Sequence, residues 1–422
     1  MQKTIKKFLN KLVTLLIALI LFSCKSPMNK DVTIEEKLPI STGIWKMELD
    51  LNGESLPFNF TFQELRPGYL MTIINAEERI KTDEIKIIDD SIFIKLPVFD
   101  SEFELTIVDS NHLSGYWINH YKGEAKKINV KASFGESNRF SGTVEQFMQD
   151  ISGKYEVTFS PNSEKASKAI GLFKQTNNEI QGTFATETGD YRHLHGEFVK
   201  DSLFLSTFDG SHAYLFKAKL IGNQLIGHFW SGLSPKVPWE ATINNSFELR
   251  SPDSLTFLKE GYGKLNLELS NLENQLIRLT DERYKNKVII VQIMGSWCPN
   301  CLDETHYLSD LYNQYQPKGL EVIAVAFERS RTKDKAIENV KRLQSKVGAK
   351  YEFLMGGYTF EDKAINTFPM LNHIMSYPTA LFIDKKGVIR KIHTGFYGPG
   401  TGIYFENFKK ETALYVDSLL KE

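Results

Sequence analysis

Val288-Ile289-Ile290-Val291-Gln292-Ile293-Met294-Gly295-Ser296-Trp297-Cys298-Pro299-Asn300-Cys301-Leu302-Asp303-Glu304 is the stretch whose reading decides the fold. The opening run, Val288 to Met294, is apolar and β-branched and has the length of a buried strand. Gly295-Ser296-Trp297 makes a turn. After Cys298 the apolar residues Leu302, Leu308, Leu311 and Tyr315 recur at helical spacing. Cys298 therefore stands on an exposed turn at a helix N-terminus, with Pro299 in the first turn, where a missing N–H costs nothing.

That placement has a chemical consequence. The unpaired amides and the positive end of the helix dipole stabilise a thiolate at the first cysteine. Such a thiolate attacks a disulfide in another molecule. The Cys301 thiol is close enough to resolve the mixed disulfide that results. Glu304 follows Cys301 by one helical turn and lies on the same side of the helix. It is either an acid beside the thiols or a surface helix carboxylate. A zinc half-site is the structural alternative for the cysteines. Zinc wants four ligands, and the sequence offers no second cysteine pair. His193 and His195, two apart on an expected strand, share a face but show no third ligand, so no metal is assigned.

Trp-Cys-x-x-Cys-x-x-Glu after a buried strand resembles the TlpA/ResA-like branch of the thioredoxin superfamily, extracytoplasmic thiol–disulfide oxidoreductases related to the redoxins. Gly319-Leu320-Glu321-Val322-Ile323-Ala324-Val325-Ala326 resembles the family's second strand. Tyr377-Pro378-Thr379, followed by Ala380-Leu381-Phe382-Ile383-Asp384, resembles its cis-proline turn and next strand. The resemblance covers residues 265–422. It implies a thioredoxin-like α/β sandwich, catalysis by Cys298 and Cys301, and substrate contacts from Trp297, Tyr377 and Pro378. It also implies that Glu304 sits half-buried and moves protons for Cys301. Thioredoxin itself uses a buried aspartate six residues before the first cysteine; Gln292 stands there and does not titrate. Peroxidase relatives need a threonine three residues before the cysteine, and residue 295 is glycine. No cofactor is implied beyond the two thiols.

The N-terminus reads as a targeting segment. Lys3, Lys6, Lys7 and Lys11 precede an apolar run from Leu12 to Phe22, too short for a comfortable membrane span. Leu21-Phe22-Ser23-Cys24 resembles a bacterial lipobox, which implies lipidation of Cys24 and a membrane anchor facing the periplasm or cell surface. An uncleaved N-terminal anchor is the alternative. The chain has three cysteines; with Cys24 lipidated, only Cys298 and Cys301 remain, and no structural disulfide is possible. Without residues 1–23 the chain carries 47 basic and 52 acidic residues, a balance that excludes a nucleic-acid surface.

Between the two ends lies an internal repeat with an offset near 110. Gly43-Ile44-Trp45 matches Gly153-Lys154-Tyr155, Asp90-Ser91-Ile92-Phe93 matches Asp201-Ser202-Leu203-Phe204, and Asn111-His112-Leu113 matches Asn223-Gln224-Leu225. Short alternating strands separated by Asn, Asp and Gly turns predict roughly eight strands and one barrel or sandwich per repeat. The expected organisation is a signal peptide (1–23), a tether (24–40), β module 1 (41–138), β module 2 (151–248) and a thioredoxin-like domain (251–422). A linker or short helix is expected over 139–150, short helices over 254–260 and 360–368, and a short extra strand over 351–354. Glycine-rich Gly395–Gly402 reads as a mobile loop at the active-site edge or a plain connection, since it lacks the Lys-Ser/Thr pair of a phosphate loop.

The function expected is a lipid-anchored protein disulfide reductase. Its partners are cysteine-containing extracytoplasmic proteins and an upstream membrane electron donor. The alternative is a lipid-anchored binding protein whose β modules hold a hydrophobic ligand or a partner, with the redox domain accessory.

Overall fold

Alternation builds the first β module. Along Gly43–Asp50 the side chains of Trp45, Met47 and Leu49 are buried, while Glu48 and Asp50 face solvent. The structure, a computed structural model, describes residues 39–122, 127–140, 149–330, 332–359 and 363–422. The leader, the lipobox with Cys24 and nearly all of the tether lie outside the described residues, as do 141–148 of the segment expected to link the repeats and 360–362 before the helix Lys363–Thr367.

The first module is a nine-stranded antiparallel meander in which Gly43–Asp50 pairs with both its successor Ser55–Glu64 and the last strand Lys127–Phe134. Among the described residues the ring lacks a ladder only between Glu78–Thr82 and Ile85–Ile88. The second sheet is also nine-stranded, and here the ring closes, because Ser167–Thr176 pairs with both Gly153–Phe159 and Glu179–Thr186. Its ninth strand is the two-residue stub Gly189–Asp190, paired to the end of Glu179–Thr186.

The repeat is physical as well as textual. Trp45 Nε1 donates to Ser41 O at 3.0 Å, and Tyr155 O–H donates to Ile151 O at 3.0 Å. Each aromatic residue of the first strand thus ties back to the carbonyl four residues earlier.

Both barrels are filled. In the second, Phe184 stacks on Phe216 at 4.5 Å and Phe216 on Phe229 at 4.3 Å. In the first, the space beside Phe58, Phe103 and Trp117 is taken by Phe208, a residue of the second module, which stacks on Phe58 at 4.7 Å. The two modules are therefore joined through a shared aromatic core.

The third part is a five-stranded sheet in the order Glu352–Tyr358, Leu320–Glu328, Val288–Met294, Thr379–Ile383, Ile389–Thr394. The first three strands are parallel and the last two antiparallel to them. Val288, Ile290 and Met294 pack with the helices Pro299–Tyr315, Lys333–Val347 and Ile403–Lys421. Ile289, Val291 and Ile293 face the opposite layer. This is the thioredoxin-like α/β sandwich.

Two local expectations shift. The short strand read at 351–354 is a full edge strand, Glu352–Tyr358. The helix read over 254–260 is one turn, Pro252–Leu255, started by Ser251 and Pro252. Among the described residues no helix is long and apolar enough to cross a membrane.

Candidate active site

The turn after Val288–Met294 puts Cys298 at the N-cap of the helix Pro299–Tyr315. Its backbone is extended, so its side chain folds back over the open end of the helix. Cys301 N–H donates to Cys298 Sγ at 3.2 Å. The Cys298 thiol donates to Tyr377 O at 3.4 Å, and the Tyr377–Pro378 peptide is cis. Both thiols are free. Sequence reasoning placed Cys298 on an exposed turn. In the fold Cys298 is instead only 5% exposed and Cys301 fully buried. The cause is tertiary, because turns of the second β module lie directly on the motif.

Burial pushes the Cys301 thiol well up, and the hydrogen bond and charge of Cys298 push it further. Glu304 is 1% exposed, so it is no surface carboxylate. Gln292 lies on the helix-facing side of its strand, and its Nε2 donates to Glu304 Oε2 at 2.9 Å and to Cys301 O at 3.3 Å. Thr305 Oγ1 closes the network by donating to Gln292 Oε1 at 3.2 Å. Burial raises the Glu304 carboxyl to about 8, against the Gln292 hydrogen bond that favours its ionised form.

Trp297 donates its ring N–H to Phe327 O at 2.9 Å and meets the Tyr377 ring edge-on at 5.5 Å. The guanidinium of Arg329 lies 3.4 Å from the centre of the Trp297 ring. Trp297, Cys298, Cys301, Glu304, Tyr377 and Pro378 thus come together around one helix end.

Three groups escaped sequence reasoning. Glu328, at the end of Leu320–Glu328, is buried behind the turn and accepts Ser296 N–H and Oγ–H, each at 2.7 Å. Burial lifts its carboxyl to about 7. Tyr121 of the first module reaches the same Ser296 Oγ at 3.2 Å. Asp303, inside the motif, pairs with Arg192 of the second module at 2.7 Å, and burial lifts it to about 7 against that charge. A glutamate ending the apolar run Val322–Phe327 was the available signal for Glu328. Nothing local announces Arg192. The glycine-rich segment Gly395–Gly402, read as an edge loop or a plain connection, borders the site: Phe396 O accepts Asn300 Nδ2–H at 3.0 Å.

His193 and His195 do not come together with the thiols; His195 Nε2 sits 2.7 Å from Glu179 Oε1 on the barrel face. Among the described residues no cluster of three or more His, Cys, Asp or Glu is placed to hold a metal.

Residues 253–405 match the redoxin family model. The thiol–disulfide oxidoreductase ResA of Geobacillus thermodenitrificans is 31% identical over 127 residues, which is 30% of this chain and 64% of that protein. The chain thus spans just under two thirds of that relative. ResA of Halalkalibacterium halodurans is 27% identical over 168 residues, 40% of this chain and 86% of its own. A solved thiol:disulfide interchange protein of the thioredoxin family from Chlorobium tepidum is 19% identical, covering 38% of this chain and 98% of that one, with a TM-score of 0.30. The C-terminal domain of this chain thus matches the redoxin family and is similar to the ResA thiol–disulfide oxidoreductases.

Proposed function

We propose that this chain is an extracytoplasmic protein thiol–disulfide oxidoreductase, anchored by lipid on Cys24 and acting as a reductant. The observation that carries this reading is the pair of free sulfurs at the helix end, with Cys301 N–H on Cys298 Sγ and the cis-proline carbonyl of Tyr377 opposite.

The Cys298 thiolate attacks one sulfur of a substrate disulfide, forming a mixed disulfide and releasing the other substrate sulfur as a thiolate. Cys301, losing its proton, attacks Cys298 Sγ. The Cys298–Cys301 disulfide forms and the second substrate thiolate leaves. Two electrons pass from enzyme to substrate. An upstream membrane dithiol donor returns them by the same exchange in reverse. Glu304, once ionised, takes the Cys301 proton. The Tyr377 backbone and the Trp297 ring receive the extended substrate segment. The division into leader, tether, two β modules and redox domain, at residues 1–23, 24–40, 41–138, 151–248 and 251–422, belongs to the same proposal.

Insulin disulfide reduction, with dithiothreitol as donor, tests the chemistry. Wild type accelerates it and Cys298→Ser abolishes the acceleration; equal rates would sink the reading. Labelling with radioactive palmitate tests the anchor: the label enters wild type and is lost in Cys24→Ala.

A further inference from the structure

The groove that an incoming disulfide would use is already filled by the chain itself. Ser376, next to the cis-proline turn, donates its hydroxyl to Thr188 O at 2.8 Å. Gly395, on the far side of that turn, faces the same residue so closely that a Cβ there would lie 2.9 Å from the Thr188 carbonyl carbon. Gly189, at φ +143°, passes over Asn300, the second of the two residues between the cysteines, and a Cβ would stand 2.3 Å from its Nδ2. Arg192 donates to Pro299 O at 3.0 Å, and Ser211 Oγ donates to Trp297 O at 3.1 Å. Trp297, Pro299 and Asn300 are thus all touched by the second module, which is why Cys298 is buried.

The character of this contact matters. The first module shares an apolar core with the redox domain through Val98 and Phe99. The apolar core of the second barrel, by contrast, takes in no residue of the redox domain. Its hold on the motif is made of hydrogen bonds and one buried charge cluster, in which Arg192 meets Asp303 of the redox helix, Glu78 of the first module and Asp209 of its own. The covering turn between Thr186 and Leu194 is anchored to its own barrel by Tyr191, whose N–H donates to Phe184 O at 3.0 Å and whose ring packs against Phe184 and Phe229. Its tip, Glu187 to Asp190, lies outside that anchor and meets the sheet at two ladder positions, Ala185↔Asp190 and Thr186↔Gly189, so it opens locally at lower cost than the barrel behind it.

We propose that the Glu187–Asp190 tip of this turn of the second β module is the specificity element of the redox site: it occupies the groove between the cysteine motif and the cis-proline turn, passes small disulfides to Cys298, and must swing off before a protein disulfide enters. This rests on the assignment of Cys298 as attacking thiol. Arg192 is the latch. The anchor of Phe208 in the first barrel keeps the rest of the module in place while the turn moves.

The test uses the full chain carrying Cys301→Ser, in which mixed disulfides accumulate on Cys298. Rates are followed by mass spectrometry with hydroxyethyl disulfide as the small probe and insulin as the protein probe. Adding Arg192→Gln or Ser376→Ala raises the insulin rate by about tenfold or more, the inverse of a small open fraction, and leaves the small-probe rate within about twofold. An insulin rate that moves no more than the small-probe rate overturns the proposal. Should a latch variant fail to fold, hydrogen exchange decides on Cys301→Ser alone: residues 188–190 lose protection once insulin is trapped, and retained protection overturns the proposal. If neither probe forms a mixed disulfide, the assignment of Cys298 itself fails, and the inference with it.

Discussion

Gln292 Nε2 stands 2.9 Å from Glu304 Oε2, so the one polar side chain of the central strand is spent on the one carboxylate beneath Cys301. The pair sets when Glu304 acts. Its folded-state value of about 8 lies well above that of an exposed carboxyl, so it carries a proton at neutral pH. Insulin reduction should therefore rise through about pH 8, and Glu304→Gln should flatten that limb. Gln292→Leu removes the hydrogen bond that favours the ionised form and should move the limb up by roughly one pH unit, the worth of one charge-assisted bond. A profile unchanged in both variants would refute the role.

The same burial makes a stability prediction. A carboxyl raised in the folded state binds its proton more tightly folded than unfolded. Its contribution is fully present below the unfolded carboxylate range and is lost as pH rises toward about 8. Glu304→Gln should thus raise Tm relative to wild type at pH 8 and do little at pH 5. Calorimetry at the two pH values checks the sign.

The two thiols should differ sharply toward alkylation. Burial and the neighbouring Cys298 push the Cys301 thiol well up. Iodoacetamide at pH 8 should mark Cys298 first, by about tenfold or more, consistent with thiolate control of reactivity. Peptide mapping after partial labelling reads the ratio, and preferential marking of Cys301 would reverse the assignment.

Arg192 balances carboxylates from all three parts of the chain. Arg192→Met leaves Asp303, Glu78 and Asp209 buried without their cation, a change that costs about 3–5 kcal/mol. Asp303→Asn in the same chain should restore part of the loss. Urea denaturation of the two single variants and the double variant measures the coupling; strict additivity would contradict the pairing.

Phe208 offers a packing test. It fills the first barrel against Phe58 and Trp117 while belonging to the second module. Phe208→Ala should cost about 3–5 kcal/mol. Because it couples the modules, the variant should unfold in separated steps when tryptophan fluorescence is compared with far-UV dichroism.

The strand, turn and helix around Cys298 were readable because their causes are local: an apolar β-branched run, a Gly-Ser turn, a proline at the first helical position and apolar residues at helical spacing. The β repeat was readable for the same reason, since strand alternation and the tie from Trp45 or Tyr155 to the carbonyl four residues back are short-range. The proximity of Glu304 to Cys301 also follows from helix geometry.

Residue order alone thus settled the redox motif, the order of its strands and helices, and the existence of two related β modules, because each follows from periodicity over a few residues. Only the folded chain decided that Cys298 is covered, that Asp303, Glu304 and Glu328 are held near or above neutrality, and that Phe208 belongs to another module's core. Those outcomes depend on which segments exclude water from one another. The Arg192–Asp303 pair joins residues 111 apart in the chain, and no local pattern encodes such a meeting.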